Sequence, residues 1–223
     1  MKAMLVALAL LLPSPAEAGV SSVVIAAGYN PNAPAARIQT RADYVAVPIN
    51  VQSDAKDPLK RVDQTEAALR EIAGRVKPYA DLSVRFGIVS LSAQETSKSV
   101  SSYASGSSSA QLYVLGALKP EATVFMLAKR IQQAVASTPL SDGTRLSLGN
   151  TMLGMDDPEK FRPQLLGLIS KSAAEARKLL GANGPAEIDG LENSVAVAQV
   201  NESEVVIFIN YRAKFQLGGA ASR

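Results

Sequence analysis

The sequence contains no cysteine, so the chain can form no disulfide bond. The same absence excludes a thiol nucleophile, an iron–sulfur cluster and a zinc site made of thiolates. A chain of 223 residues can bury enough apolar surface to fold without such cross-links. Its stability is therefore expected to come from a packed core.

Histidine is absent as well. Histidine is the side chain whose unperturbed pKa lies near neutrality, so a Ser-His-Asp triad and an imidazole metal ligand are excluded. An enzyme would have to use carboxylates, a Ser–Lys pair or tyrosine. Asp189, Glu192, Glu202 and Glu204 fall near the last predicted hairpin, and two close carboxylates could hydrolyse a glycoside. Acids at such positions are commonly solvated, so we expect no catalytic residue, no cofactor and no metal ion.

Tryptophan is missing, and aromatic residues make up only 5% of the chain, which disfavours a sugar-stacking platform or an aromatic cage. An excess of one charge is missing too, because 23 basic and 20 acidic residues give a net charge of +3. The basic residues are scattered in short groups such as Lys129–Arg130 and Arg177–Lys178. No run is dense enough to indicate a nucleic-acid or lipid surface, and we expect no nucleic-acid partner.

Residues 1–18 have the pattern of a secretory signal peptide. Met1–Lys2 provides a positive start, and an apolar run of eight residues follows at Leu5–Leu12. Residues 16–18 give the small-x-small pattern that precedes cleavage, so we expect cleavage after Ala18 and an exported protein. An uncleaved membrane anchor is the alternative, although a bilayer-spanning helix needs about 20 apolar residues.

The rest of the chain is predicted to be one domain with short ends. Residues 19–42 read as an N-terminal arm with a short strand at Val23–Ala27, because glycine, proline and asparagine interrupt them. Residues 43–217 carry regular patterns throughout and are predicted to form the folded domain. Residues 218–223 are predicted to be a tail.

The first strong strand signal follows Asp43. Val45, Val47, Ile49 and Val51 alternate with less apolar residues, which predicts a strand with one apolar face. Pro48 cannot donate to a ladder, so we expect this strand to lie at an edge or to contain a bulge.

Three helices are predicted from their start signals and apolar spacing. Asp57–Pro58 begins the first, Pro120–Glu121 the second, and Asp157–Pro158 the longest, which runs to about residue 180 before Gly181. The acids at 156, 157 and 159 have the wrong spacing for a calcium loop, so we interpret them as a helix cap. The buried stripe of the first helix is predicted to contain Leu59, Val62, Leu69, Ile72, Ala73 and Val76.

The remaining patterns are strands. They are predicted at 82–91, 111–117, 144–153, 186–200 with a break near Gly190, and 204–217. The order of elements predicts an α+β fold with helices packed on a mainly antiparallel sheet. A βαββαβ unit of the ferredoxin-like kind comes first, and an αββ segment follows.

Residues 92–110 are rich in serine. They predict a flexible hairpin tip or strand extensions beyond the core, or alternatively a subunit-contact arm centred on Tyr103. In the last strand, Val206 and Phe208 make the first half apolar on both faces, so that half is predicted to be central. Tyr103, Val206 and Phe208 are our candidate subunit-contact residues.

The chain resembles the SIMPL-domain family of bacterial exported proteins. The alternating strand Arg41–Val51 leads into a helix as in that family, and a serine-rich excursion precedes a second helix. The Ala/Lys-rich helix Ser170–Gly181 is similar to the family's most recognisable segment, and the final strand ends at Phe215–Leu217. The resemblance implies an α+β domain and a periplasmic or outer-membrane-associated location. It also implies self-assembly into rings, as in at least some members of the family, and a loose association with envelope or oxidative stress, with no catalytic residues to carry over.

Three functional hypotheses follow. The first is a non-enzymatic exported envelope protein that acts as a homo-oligomer or by binding a partner. The second is a periplasmic carrier of a small ligand, held in an apolar pocket between helices and sheet. The third is a carboxylate-dependent hydrolase that uses Glu202 and Glu204.

Overall fold

The structure is a computed structural model that describes residues 23–28, 33–91 and 107–217. The predicted signal peptide, residues 92–106 with Tyr103, and the tail 218–223 lie outside the described residues. The described ranges contain β1 (Val23–Ile25), β2 (Arg37–Arg41), β3 (Tyr44–Ser53), α1 (Pro58–Val76), β4 (Leu82–Leu91), β5 (Ser108–Ala117), α2 (Val124–Ala136), β6 (Thr144–Leu148), β7 (Met152–Asp156), a 3₁₀ turn (Pro158–Phe161), α3 (Arg162–Leu179), β8 (Glu187–Asp189), β9 (Ala196–Gln199), β10 (Glu204–Phe208) and β11 (Arg212–Lys214).

The strands form three sheets, and every strand pair within them is antiparallel. The largest has six strands in the order β1-β7-β3-β5-β4, with β6 also paired to β3. Because β5 is antiparallel to both β3 and β4, the connection through α1 joins two parallel strands with β5 between them. A three-stranded sheet has the order β2-β10-β9, and β8 pairs with β11. The predicted α+β class is confirmed.

Two apolar clusters make up most of the core. In one, α1 and α2 cover the face of the large sheet formed by β3 and β5, with Ile72 and Ile131 fully buried above Leu112. In the other, Leu165 and Ile169 of α3 pack with residues of β7, β9 and β10. The helices thus lie over the middle of the large sheet, and this placement leaves its last strand, β4, less covered.

Pro48 lies in a central strand, so the expectation of an edge strand is wrong. The alternative, an irregularity at Pro48, is found on the partner side, where residues 47–48 of β3 face the three residues 149–151. β3 pairs with β5 on one side, and on the other side with β7 up to Ala46 and with β6 from Ile49. The carbonyl of Pro48 accepts from the Gly149 N–H at 2.8 Å and points at the gap between β7 and β6. The N–H and C=O of an extended residue point to the same side of its strand. The N–H that proline lacks would therefore also have pointed into the gap between β7 and β6, where neither strand pairs with Pro48, so no ladder hydrogen bond is lost.

The predicted ends of α1 and α3 are confirmed where they rest on local capping. The Asp57 carboxylate accepts from the backbone N–H groups of Leu59 and Lys60, and Pro58 is the first helical residue. Gly181 follows α3 with φ +62°, the left-handed conformation that glycine adopts without strain. The first turn of the predicted buried stripe is wrong, because Leu59 is 75% exposed while the side chain of Arg61 is buried instead.

Asp157 does not cap the third helix. Its backbone is left-handed, with φ 43°, and its side chain makes no capping hydrogen bond. A 3₁₀ turn follows before α3 starts at Arg162. The Asp-Pro signal therefore marks the entry to this turn and not to α3, and α3 with 18 residues is slightly shorter than α1 with 19.

Several strand boundaries also differ from the prediction. The arm residues include β2, which pairs with β10, and the single strand expected at 144–153 is divided into β6 and β7. The last strand is interrupted after Phe208, so β10 and β11 join different sheets. The predicted break at Gly190 is confirmed by its φ of +86°, and β10 is central, as expected.

Candidate assembly surface

β4 and β1 lie at the two ends of the strand order in the large sheet, and β4, with ten residues, is the longer of the two. It pairs with β5, and within the described residues no strand pairs with its other side. A free strand edge presents unpaired N–H and C=O groups that can hydrogen-bond to a strand of another molecule. We call residues Arg85–Ser90, all of them exposed, the β4 edge.

Large apolar side chains are exposed on the β4 edge. Phe86 is 63% exposed, Ile88 76% and Val89 52%. Phe86 and Val89 lie opposite Leu112 and Ala110, which are buried under the helices. Cross-strand partners point to the same side of a sheet, so these two side chains lie beside the helix layer and are not covered by it.

A β-bulge interrupts the pairing of β4 at this place. The register shifts by one residue between Phe86 and Val89, which leaves Gly87 and Ile88 at the irregularity. A Cβ on Gly87 would lie 3.1 Å from the carbonyl oxygen of Gln111 and 3.2 Å from the ring of Tyr113. Glycine therefore permits the close approach of the two strands, and the bulge turns Ile88 outward.

Charge offers the β4 edge little protection against association. Natural edge strands are often guarded by lysine, proline, inward-pointing charges or β-bulges, and of these guards β4 has the bulge at Gly87 and Ile88. Arg85 is the one charged residue between Leu82 and Leu91. The arrangement is chemically suited to strand addition from another chain, combined with burial of an apolar patch.

Two of the three residues predicted from sequence as subunit contacts lie in a different sheet from β4. Val206 and Phe208 are 5% and 2% exposed and pack with Ala198 in a small cluster on β9 and β10. Tyr103 lies outside the described residues, in the connection from β4 to β5. The sequence reading missed the β4 edge, although Gly87 inside a strand pattern was a signal for a bulge.

Buried polar side chains gather where β3 and β5 meet the start of α1. Ser53 donates to Gln64 Oε1 at 2.7 Å, and Gln64 Nε2 donates to the Asp142 carbonyl at 3.2 Å. Ser108, which pairs with Ser53 across the strands, is 1% exposed. Arg61 is 3% exposed and donates to the Ala55 carbonyl at 3.0 Å. These bonds fix α1 to the sheet.

Of the four acidic residues considered for hydrolysis, Glu192 and Glu202 are exposed, and the other two take part in local structure. Glu204 accepts from Gln39 at 3.0 Å and from Asn201 at 2.6 Å, which ties the turn before β10 to β2. Asp189 accepts from Lys214 at 2.9 Å, and this contact raises the pKa of Lys214. Among the residues that the structure places, no group of three or more acids could hold a metal ion.

Asp43 and Asp156 stand beside Tyr44 near the start of β3. The Asp43 carboxylate accepts from the backbone N–H of Asp156 at 2.8 Å. Partial burial raises the pKa of Tyr44, and the two carboxylates raise it further. Tyr44 therefore stays a neutral phenol at physiological pH and is no general base.

Two surface depressions bear on the carrier hypothesis. One, of about 530 Å³, lies between α1 and α2, where Arg75 donates to Glu71 at 3.1 Å and to Ser137 at 2.8 Å. The other, of about 370 Å³, lies at the end of α3 beside Arg177 and Lys178. Both are shallow and have charged groups in their walls, unlike the enclosed apolar pockets that hold small ligands.

No helix in the described ranges has both the length and the apolar character needed to cross a bilayer. Comparison of the chain with protein-family models and with curated proteins found no match.

Proposed function

We propose that this protein is a non-enzymatic exported envelope protein that acts through self-assembly, with the β4 edges of two copies in contact. The observation that carries the proposal is the exposure of Phe86, Ile88 and Val89 on a strand whose outer side has no partner strand in the described chain. Pairing would satisfy the free backbone groups and remove these side chains from water.

A second copy of the same chain is the partner that best fits this edge. β4 has ten residues, whereas β1 has three and β2 has charged ends at Arg37 and Arg41. An antiparallel pair of β4 strands around a two-fold axis uses one surface twice and places apolar residues against apolar residues. A parallel in-register pair would place the two Arg85 side chains side by side, where like charges repel.

The resemblance to the SIMPL-domain family supports export and self-assembly. A two-fold β4 pair by itself closes as a dimer, so assembly into a ring would need a second contact between copies. That family implies ring assembly, a periplasmic or outer-membrane-associated location, and a link to envelope or oxidative stress. Tyr103 remains a candidate contact because its segment connects β4 and β5. Val206 and Phe208 are covered by other residues of the same chain. Their contact with another copy stays a prediction and does not enter the proposed β4 pairing.

Cysteine cross-linking provides a sharp test because the native chain has no cysteine. We place the two-fold axis at Ile88, the middle of the exposed apolar residues of β4. The Cα atoms of two Ile88→Cys residues would then come within the separation of about 4.4–6.8 Å that a disulfide requires. We expect a covalent dimer on a non-reducing gel after mild oxidation, together with a dimer or larger oligomer of the native protein by light scattering.

Two control variants separate specific pairing from random collision. Leu59→Cys places a thiol on α1 at a position that is 75% exposed, and it should give little dimer. Ser83→Cys lies at the far end of β4, so antiparallel pairing predicts weak cross-linking there and parallel pairing predicts strong cross-linking. A native protein that remains a strict monomer at micromolar concentrations would overturn the proposal.

A further inference from the structure

Three leucine side chains are exposed at the end of α3. Leu179 is 87% exposed, Leu180 53% and Leu217 62%. Leu217 is distant in sequence, but its backbone pairs with Ala182, two residues after Leu180. The structure therefore brings the backbone of Leu217 to the segment that follows α3, and we call these three exposed leucines the leucine patch.

Basic groups stand beside the leucine patch. Arg177 and Lys178 occupy the last turn of α3 and line the depression of about 370 Å³ next to Gly181. Lys171 is also exposed on α3, and Glu175 is the one acid between Lys171 and Leu180. Two cations in a last turn suit the helix dipole, but the dipole gives no reason for leucines in water.

We propose that the leucine patch and its cations form a contact site for an anionic phospholipid surface. The pair Arg177–Lys178 is too short a basic run to indicate such a surface from the sequence, and the exposed leucines beside it are the observation that the structure adds. Apolar side chains that project next to basic groups can enter the boundary between headgroups and acyl chains, while the cations stay at the phosphates. Arg177 is held in place by its hydrogen bond from Nε to the Ala182 carbonyl at 3.4 Å. These observations are independent of the β4 edge, with which the site shares no residue.

Vesicle flotation tests this site with the processed protein, its N-terminus established by mass spectrometry. We expect more protein to float with vesicles that contain phosphatidylglycerol than with phosphatidylcholine alone, and the difference to shrink at high salt. The double variant Leu179→Ser/Leu217→Ser should lower the partition coefficient about tenfold on the anionic vesicles. Arg177→Gln/Lys178→Gln should lower binding to the anionic vesicles alone.

Leu59→Ser is the control for loss of an exposed leucine, because Leu59 on α1 is 75% exposed, between Leu217 and Leu179, and this variant should bind as the native protein does. Ile88→Lys at the β4 edge should also retain vesicle binding, even if it abolishes self-assembly. Equal binding by the leucine variant and the native protein overturns the proposal. A leucine variant that changes the oligomeric mass instead assigns the patch to contact between copies, and this result overturns it too.

Discussion

Phe86 of β4 lies opposite Leu112 of β5 on the helix-facing side of the sheet, yet Phe86 is 63% exposed and Leu112 is fully buried. The two side chains share a row of the sheet and differ only in how far the helices reach. This difference turns one apolar residue into core and the other into a surface available for contact.

Truncation of Leu112 and of Phe86 to alanine should lower the free energy of unfolding by different amounts. Leu112→Ala should lower the free energy of unfolding by about 2–5 kcal/mol, because it leaves a cavity under α1 and α2. Phe86→Ala should cost less than about 1 kcal/mol in the monomer, since it removes little buried surface. Urea unfolding at concentrations below assembly measures both values. Equal losses would contradict the exposure of Phe86.

Glycine positions predict opposite effects of the same substitution. Gly74 lies within α1 with open space around its missing Cβ, so Gly74→Ala should stabilise the protein by about 0.5–1 kcal/mol. Gly190 has φ +86°, and a Cβ there would lie 2.8 Å from the Asn210 carbonyl oxygen. Gly190→Ala should therefore destabilise it by more than about 1 kcal/mol. Thermal unfolding of both variants should give shifts of opposite sign.

The buried bond between Ser53 and Gln64 predicts coupled losses. Gln64→Ala leaves the Ser53 hydroxyl and the Asp142 carbonyl without this partner, at a cost of about 1–3 kcal/mol. The double variant with Ser53→Ala should cost less than the sum of the single variants, with a coupling energy of about 1 kcal/mol. Chemical denaturation of the native protein, the two single variants and the double variant gives the four free energies of this double-mutant cycle. Strict additivity would argue against the bond.

Glu159 predicts a loss of stability in acid. Hydrogen bonds from Arg162 at 2.7 Å and from the Val195 N–H at 2.9 Å hold the pKa of this carboxyl below its ordinary value of 4.5. Unfolding releases these partners and raises the pKa, so the carboxylate stabilises the fold above about pH 4.5, and this stabilisation is lost as pH falls through the lower folded value.

The measurement is thermal unfolding of Glu159→Gln and of the native protein across this range. The difference between them should be largest near neutral pH and should narrow in acid. Glu121→Gln, at an exposed site before α2, provides a charge-matched control. A constant difference between native protein and Glu159→Gln at every pH would contradict the role of the ionised carboxylate.

The candidate surface was only partly readable from the sequence. The strand at 82–91 was predicted, but an apolar pattern on both faces does not distinguish a strand at an edge from a buried one. Val206 and Phe208 carry the same signal, and there the interpretation as a central strand is confirmed. Sequence patterns report how apolar a strand is, and only the neighbouring elements decide whether its side chains are covered.

The sequence by itself determined the features that depend only on residues close together in the chain, such as the ends of helices. Asp57 caps α1 and Gly181 ends α3, because each makes its contribution through local backbone geometry and nearby N–H or C=O groups. Only the tertiary structure decided that Pro48 is central, that β4 lies at an edge and that Leu217 pairs with Ala182. Strand neighbours come from residues far apart in the sequence, so their positions follow from how the layers pack and not from local propensity.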